Sequence, residues 1–128
     1  MPDLYRDEIL DHYKNPRNFG DLEEATVSFE ESNPLCGDQI FLQIKIEKNK
    51  VTGVKFRGQG CAVSTASASL LTEHLKGSSL AELEKLQGSD VLALLGLENL
   101  SPARLKCAFL PLEALRHLLK EYHSAGRV

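Results

Sequence analysis

Four residues have types and spacing suited to one shared task. The sequence holds three cysteines, Cys36, Cys61 and Cys107, and an aspartate, Asp38, two positions after the first. Cys36 and Asp38 stand in "NPLCGDQ" (33–39), a turn-prone stretch with a proline and a glycine flanking the thiol. A cysteine that only fills a core needs none of this. Zinc and iron both take thiolate ligands, and both accept an oxygen donor beside them. Cys36, Asp38, Cys61 and Cys107 would supply three sulfurs and one oxygen. Ligands at i and i+2 can reach one ion from a turn, and Gly37, Gly58 and Gly60 permit close backbone approach. A carboxylate in place of a fourth thiolate weakens the soft-ligand field, which suits a carrier that releases what it holds. The plain alternatives are cysteines acting as small buried hydrophobes and an Asx-type turn at Gly37-Asp38. There is no CxxC pair to decide between them on spacing alone.

The elements that must position these residues can be read from the pattern. "DLYRDEILDHYK" (3–14) predicts a helix with Asp3 as its N-cap, stopped by Pro16 and Gly20. "ATVSFEES" (25–32) alternates as an edge strand does. In residues 40–58, Ile40, Leu42, Ile44 and Ile46 alternate with Phe41, Gln43, Lys45 and Glu47, and the alternation resumes from Val51 to Phe56. A hairpin turn at Lys48, Asn49 and Lys50 follows, within three antiparallel strands that keep one polar face. Residues 61–77 read as a helix ended by Gly77, and residues 79–97 as two short helices broken at Gly88. Residues 111–126 read as a last helix with Pro111 in its first turn. The expected fold is α+β: a small three-stranded antiparallel sheet flanked by about five helices, in a single domain spanning 1–128. On this map all three cysteines sit at element boundaries, and the starts of two helices favour thiolate at Cys61 and Cys107.

Composition narrows the function classes. The net charge of −3 and 6% aromatic residues argue against a nucleic-acid surface. No apolar run reaches the length of a membrane span, and the charged N-terminus does not read as a signal peptide. An odd set of cysteines without an export signal points to reduced thiols in the cytoplasm. His12, His74, His117 and His123 fall on predicted helices near charged neighbours and read as surface residues. The hydroxyl-rich "CAVSTASAS" reads as a closely packed helix face.

Several longer stretches resemble one family, the IscU/SufU iron–sulfur cluster assembly proteins, which are similar to the N-terminal domain of NifU. "YRDEILDHYKNPRNFG" resembles the family's opening helix and turn. "NPLCGDQ", "FRGQGCAVSTASASLLTEHLKG" and "ARLKCAFLPLEAL" resemble its three cysteine regions in order. The resemblance implies a SufE/NifU-like fold. It implies that Cys36, Asp38, Cys61 and Cys107 bind a transient [2Fe–2S] cluster or Zn2+. It further implies that sulfur arrives as a persulfide from a PLP-dependent cysteine desulfurase of the IscS/SufS type, with Cys36 or Cys107 as acceptor. Apo iron–sulfur proteins would be the recipients. Tyr5 matches a family tyrosine that contacts a neighbouring molecule.

The chain departs from both branches of the family. Lys106 stands where IscU-type proteins carry a histidine, and a protonated lysine cannot ligate a metal. Two readings of it stand: it modulates the site, by pairing with Asp38 or lowering the pKa of Cys107, or it is a solvated surface lysine. "LSPARLK" (100–106) replaces the IscU-type chaperone motif, so an Hsp70-type partner has weak support. The segment 62–106 lacks the insertion of SufU-type proteins. Two functions stay open: a scaffold that builds and passes on a cluster, and a zinc-dependent sulfurtransferase that relays persulfide. The missing insertion favours the scaffold, a holder more than an enzyme, and Lys106 favours the transferase. A structural or regulatory zinc module is the plainest third.

Overall fold

A computed structural model of the chain describes residues 7–34, 37–96 and 100–124. The elements run α1 (Asp7–Lys14), β1 (Val27–Asn33), β2 (Asp38–Glu47), β3 (Lys50–Gln59), α2 (Ala62–Leu75), α3 (Leu80–Glu84), α4 (Gly88–Leu95) and α5 (Pro102–Ser124). The three strands form one antiparallel sheet in the order β1-β2-β3, with Phe29 opposite Leu42 and Leu42 opposite Phe56. The α+β architecture is as the sequence pattern predicts. Asp3, Tyr5 and Cys36 lie outside the described residues.

Alternation decides which face is buried. Ile40, Leu42, Ile44, Val54 and Phe56 point into a core completed by Val63, Leu71 and Leu75 of α2 and by Leu112, Leu115 and Leu118 of α5. The β2–β3 turn is tighter than expected. Lys48 and Asn49 alone form it, both with positive φ (52° and 62°), and Lys50 already belongs to β3. Two residues of positive φ match the right-handed twist of a hairpin. The opposite face is not wholly solvated. Gln43 is buried there, its amide donating to Gly20 O (3.1 Å) and its Oε1 accepting from Leu22 N–H (2.7 Å).

Three sequence expectations change. The last helix begins at Pro102, nine residues before the predicted start, and Pro111 lies inside it. Ser101 caps it, its Oγ accepting from Arg104 N–H (3.4 Å) while its carbonyl accepts from Leu105 N–H (2.9 Å). Cys107 is therefore a residue of the second turn of α5, not of a boundary loop. The break between α3 and α4 falls at residues 85–87, and Gly88 opens α4. His12 is buried, not exposed: its Nδ1 faces Ser69 Oγ at 2.6 Å, and Ser69 Oγ also accepts from Arg17 N–H (2.8 Å).

Candidate metal centre

Topology brings the site residues to one end of the sheet. Asn33 ends β1 and pairs with Asp38, which opens β2. Gln39 pairs with Gln59, the last residue of β3, and Cys61 follows two residues later as the N-cap of α2. α5 passes over the same end and presents Cys107. A buried hydroxyl fixes that approach: Ser67 Oγ of α2 donates to Ala108 O of α5 at 2.6 Å. The ligand atoms of Asp38, Cys61 and Cys107 all lie within 4.8 Å of one another. They line a cavity of about 300 Å³ with Asn33, Ala103, Arg104 and Lys106.

Two glycines make this convergence possible. Gly58 has φ +150°, and a Cβ there would stand 2.2 Å from Gln39 O, so only glycine lets β3 lie this close to β2 beside the site. Gly60 lies between two functional side chains. A Cβ on it would come within 2.3 Å of Ser64 Oγ and 3.2 Å of Asp38 Cγ.

Asp38 is the decisive group. It is 6% exposed, and its Oδ2 is buried with no hydrogen-bond partner among the described residues. An orphaned buried oxygen costs about 1–3 kcal/mol, more for a charged group, unless something outside the chain satisfies it. Two sulfurs about 2.3 Å from one tetrahedral ion stand about 3.8 Å apart. The Asp38–Cys61–Cys107 triad is thus assembled to within about 1 Å of such a geometry. The donor set fits zinc or iron: two soft sulfurs, one hard oxygen, and a cavity that leaves a position open.

Cys61 and Cys107 hold their sulfurs differently. Cys61 is half-buried, and its Sγ accepts from Ser64 N–H (3.5 Å), one of the amides that the first turn of α2 leaves free. Cys107 is 6% exposed and lies beyond the free amides of α5. Pro111, four residues on, has no N–H to offer the carbonyl of Cys107.

Lys106 is exposed at the cavity rim, as is Arg104. The expected pairing of Lys106 with Asp38 is not made; among the described residues, neither Lys106 nor Arg104 forms an ion pair. Sequence reasoning missed Asn33, Arg104 and Ser64 as site residues. Ser64 was hidden in the hydroxyl run 64–69, where Ser67 and Ser69 do serve helix packing as expected. Its position three residues after an N-cap cysteine was the available signal.

Comparison with known proteins agrees with this geometry. A family model described as the NifU-like N terminal domain matches residues 4–127. The chain is 41% identical to the zinc-dependent sulfurtransferase SufU of Bacillus subtilis (strain 168), covering 88% of this chain and 86% of that protein. It is 35% identical to the iron-sulfur cluster assembly scaffold protein IscU 1 of Archaeoglobus fulgidus, covering 93% and 76%. Its fold is similar to the crystal structure of the SUF-system protein FiSufU from Fervidobacterium islandicum AW-1, with a TM-score of 0.77, 28% identity and coverage of 91% and 96%. With the family model matched over residues 4–127 of the chain and Cys61 and Cys107 gathered beside a buried acid, the chain belongs to the NifU-like N-terminal domain family.

Proposed function

We propose that this chain is an iron–sulfur cluster assembly scaffold, acting as one domain over residues 1–128 in the cytoplasm. It accepts persulfide sulfur from a PLP-dependent cysteine desulfurase, holds a labile [2Fe–2S] cluster as cargo, and passes it to apo-proteins. The observation that carries this is the buried carboxylate of Asp38, which sets an oxygen within 4.8 Å of two thiol sulfurs and whose Oδ2 has no hydrogen-bond partner among the described residues. Such an oxygen is satisfied by a cation, and the two sulfurs beside it select a soft one.

Each residue has a part. Cys61 and Cys107 supply sulfur ligands, and Asp38 supplies an oxygen that exchanges more readily than a third sulfur would. Cys36, two residues before Asp38 in sequence, is the fourth candidate ligand. Cys107 and Cys36 are the candidate persulfide acceptors. Two thiolates and a carboxylate concentrate negative charge, and Lys106 at the rim offsets it without ligating. When zinc is bound instead, it supplies a Lewis-acidic centre that keeps the thiols together as thiolates.

The match lengths favour the scaffold over the sulfurtransferase. The alignment with the Archaeoglobus scaffold covers 119 positions, and 93% of 128 residues is about 119, so this chain runs through it essentially without gaps. The alignment with the Bacillus sulfurtransferase covers 129 positions, and 88% of 128 is about 113, so that protein carries roughly 16 residues that this chain lacks. The sulfurtransferase reading keeps one favouring observation, Lys106 beside the third cysteine.

Anaerobic reconstitution with iron, cysteine and a cysteine desulfurase tests the choice. A visible-absorbing cluster that transfers to an apo-ferredoxin is the expected result. Retention of zinc, no iron uptake and strong stimulation of desulfurase turnover would replace the scaffold with the sulfurtransferase.

A further inference from the structure

Ser64 has a placement that close helix packing does not explain. Its side chain is 6% exposed, and its hydroxyl donates to Cys61 O at 3.2 Å. The same oxygen lies 3.7 Å from Cys61 Sγ, where it accepts from the thiol. Its backbone N–H already points at that sulfur. A serine bonding back to the carbonyl three residues before it is common in a first helical turn. Here the N-cap acceptor is itself a ligand sulfur, so the hydroxyl stands over two acceptors at once. Once Cys61 binds a metal its sulfur carries no proton, and the thiol no longer donates to Ser64. The hydroxyl is then free to turn from the carbonyl to the sulfur, because an ionised acceptor forms the stronger bond. Gly60 keeps open the space this requires, since a Cβ there would meet Ser64 Oγ at 2.3 Å.

We infer that Ser64 is a positioning residue that commits Cys61 to holding the metal, by placing two hydrogen bonds, from its N–H and its O–H, on the ligand sulfur. Two donors draw charge off the sulfur, which fixes its direction and lowers its reactivity toward electrophilic sulfur. Cys61 is thereby given the anchoring part in the site. This rests on the metal-site reading proposed above and adds a positioning residue to it.

Cobalt(II) is the probe, added anaerobically to the native chain, Ser64→Ala and Ser64→Thr. Loss of a hydrogen bond raises the energy of the sulfur donor electrons. The sulfur-to-cobalt charge-transfer band of Ser64→Ala is therefore expected at lower energy, and Ser64→Thr, which keeps the hydroxyl, is expected to restore it. A second measurement needs no metal. Metal-free protein is exposed to soluble polysulfide, and the sulfur added at each cysteine is located by mass spectrometry. In that reaction a thiolate attacks a sulfur of the chain, one S–S bond breaks, and the shortened polysulfide leaves with the electron pair. At about pH 10, where ordinary thiols are ionised, Ser64→Ala is expected to raise the ratio of added sulfur on Cys61 to that on Cys107 about twofold, because nucleophilicity follows about half of the basicity change that one hydrogen bond makes. An unmoved band in cobalt-loaded Ser64→Ala overturns the inference. If the native chain takes up no cobalt, the metal-site reading fails, and the polysulfide ratio alone decides: a shift supports the assignment of Ser64, and an unchanged ratio overturns it.

Discussion

Two buried polar clusters lie along the same helix, and they are finished differently. Toward its middle, Ser69 of α2 meets His12 Nδ1 and the N–H of Arg17, while Thr72 accepts from Asn18 Nδ2 (3.3 Å) and donates to Ser69 O (2.9 Å). Every partner comes from the chain, and the result ties α1 and the following turn to α2. At the start of α2, Cys61, whose sulfur accepts from Ser64 N–H, lies beside Asp38, whose Oδ2 has no partner among the described residues. A satisfied network rigidifies a fold, and an unsatisfied one costs stability. The contrast separates structure from function where residue type does not. A buried histidine beside a serine resembles chemistry and is a fastener. A lone aspartate beside a glycine resembles a turn and is the better candidate for a site.

The largest effect that would break this contrast is at the second thiol. Cys107→Ala should weaken retention of iron or zinc by about a hundredfold or more, beyond what loss of a supporting contact costs. The metal-free variant should stay folded by circular dichroism. Equal metal content in native and variant protein would remove Cys107 from the site. His12→Ala should do the reverse. It removes a buried imidazole and one partner of Ser69, so denaturation should show a loss of about 2–3 kcal/mol, with metal affinity unchanged. A fall in affinity comparable to that of Cys107→Ala would join the two clusters into one.

Asp38→Ala ranks third. It deletes an orphaned acceptor, so the metal-free protein should gain about 1 kcal/mol in a denaturant titration, unusual for a buried polar substitution. A reconstituted cluster should also be held longer, because the exchangeable oxygen is gone. Faster release from the variant would show that Asp38 holds rather than gates.

The sequence made one end of this comparison readable and hid the other. Strict alternation over 40–47 fixed the buried face of β2, and with it the direction from which Asp38 enters the site. The switch in periodicity after Gly60 placed Cys61 at a helix start, where it is the N-cap. Cys107 was misplaced because two prolines competed for the start of α5. Pro111 sits before a clean apolar period, yet Ser101-Pro102 carries the stronger signal, a serine N-cap followed by proline at the first helical position. Burial of Pro111 beside Ile40 and Phe56 of the sheet outweighs the hydrogen bond it removes from the helix interior. The burial of His12 was not legible. Among the described residues its partners are 57 positions away in Ser69 and 61 away in Glu73, at 3.9 Å from Nε2, and no local pattern encodes them. The isolation of Asp38 Oδ2 is likewise a property of everything packed around it.

The smallest effect sharpens the comparison at the rim of the satisfied cluster. Arg17 gives its N–H to Ser69 and its guanidinium to Asp11. That guanidinium, with help from the Asn15 amide, holds the Asp11 carboxyl below its ordinary value of 3.8. A carboxyl depressed in the folded state binds fewer protons there than in the unfolded chain. Its contribution is therefore present above about pH 4 and fades as the pH falls through the lowered folded value. Both partners are on the surface, so the contribution is small and salt-sensitive. Denaturation midpoints followed from about pH 5 down to about pH 2.5 should decline slightly less steeply in Asp11→Asn than in the native chain, and 1 M salt should narrow the gap. Metal content at neutral pH should be the same in both. A variant that lost metal while keeping its midpoint would place the rim of the fastening cluster in contact with the site at the other end of α2, and the division between the two would not stand.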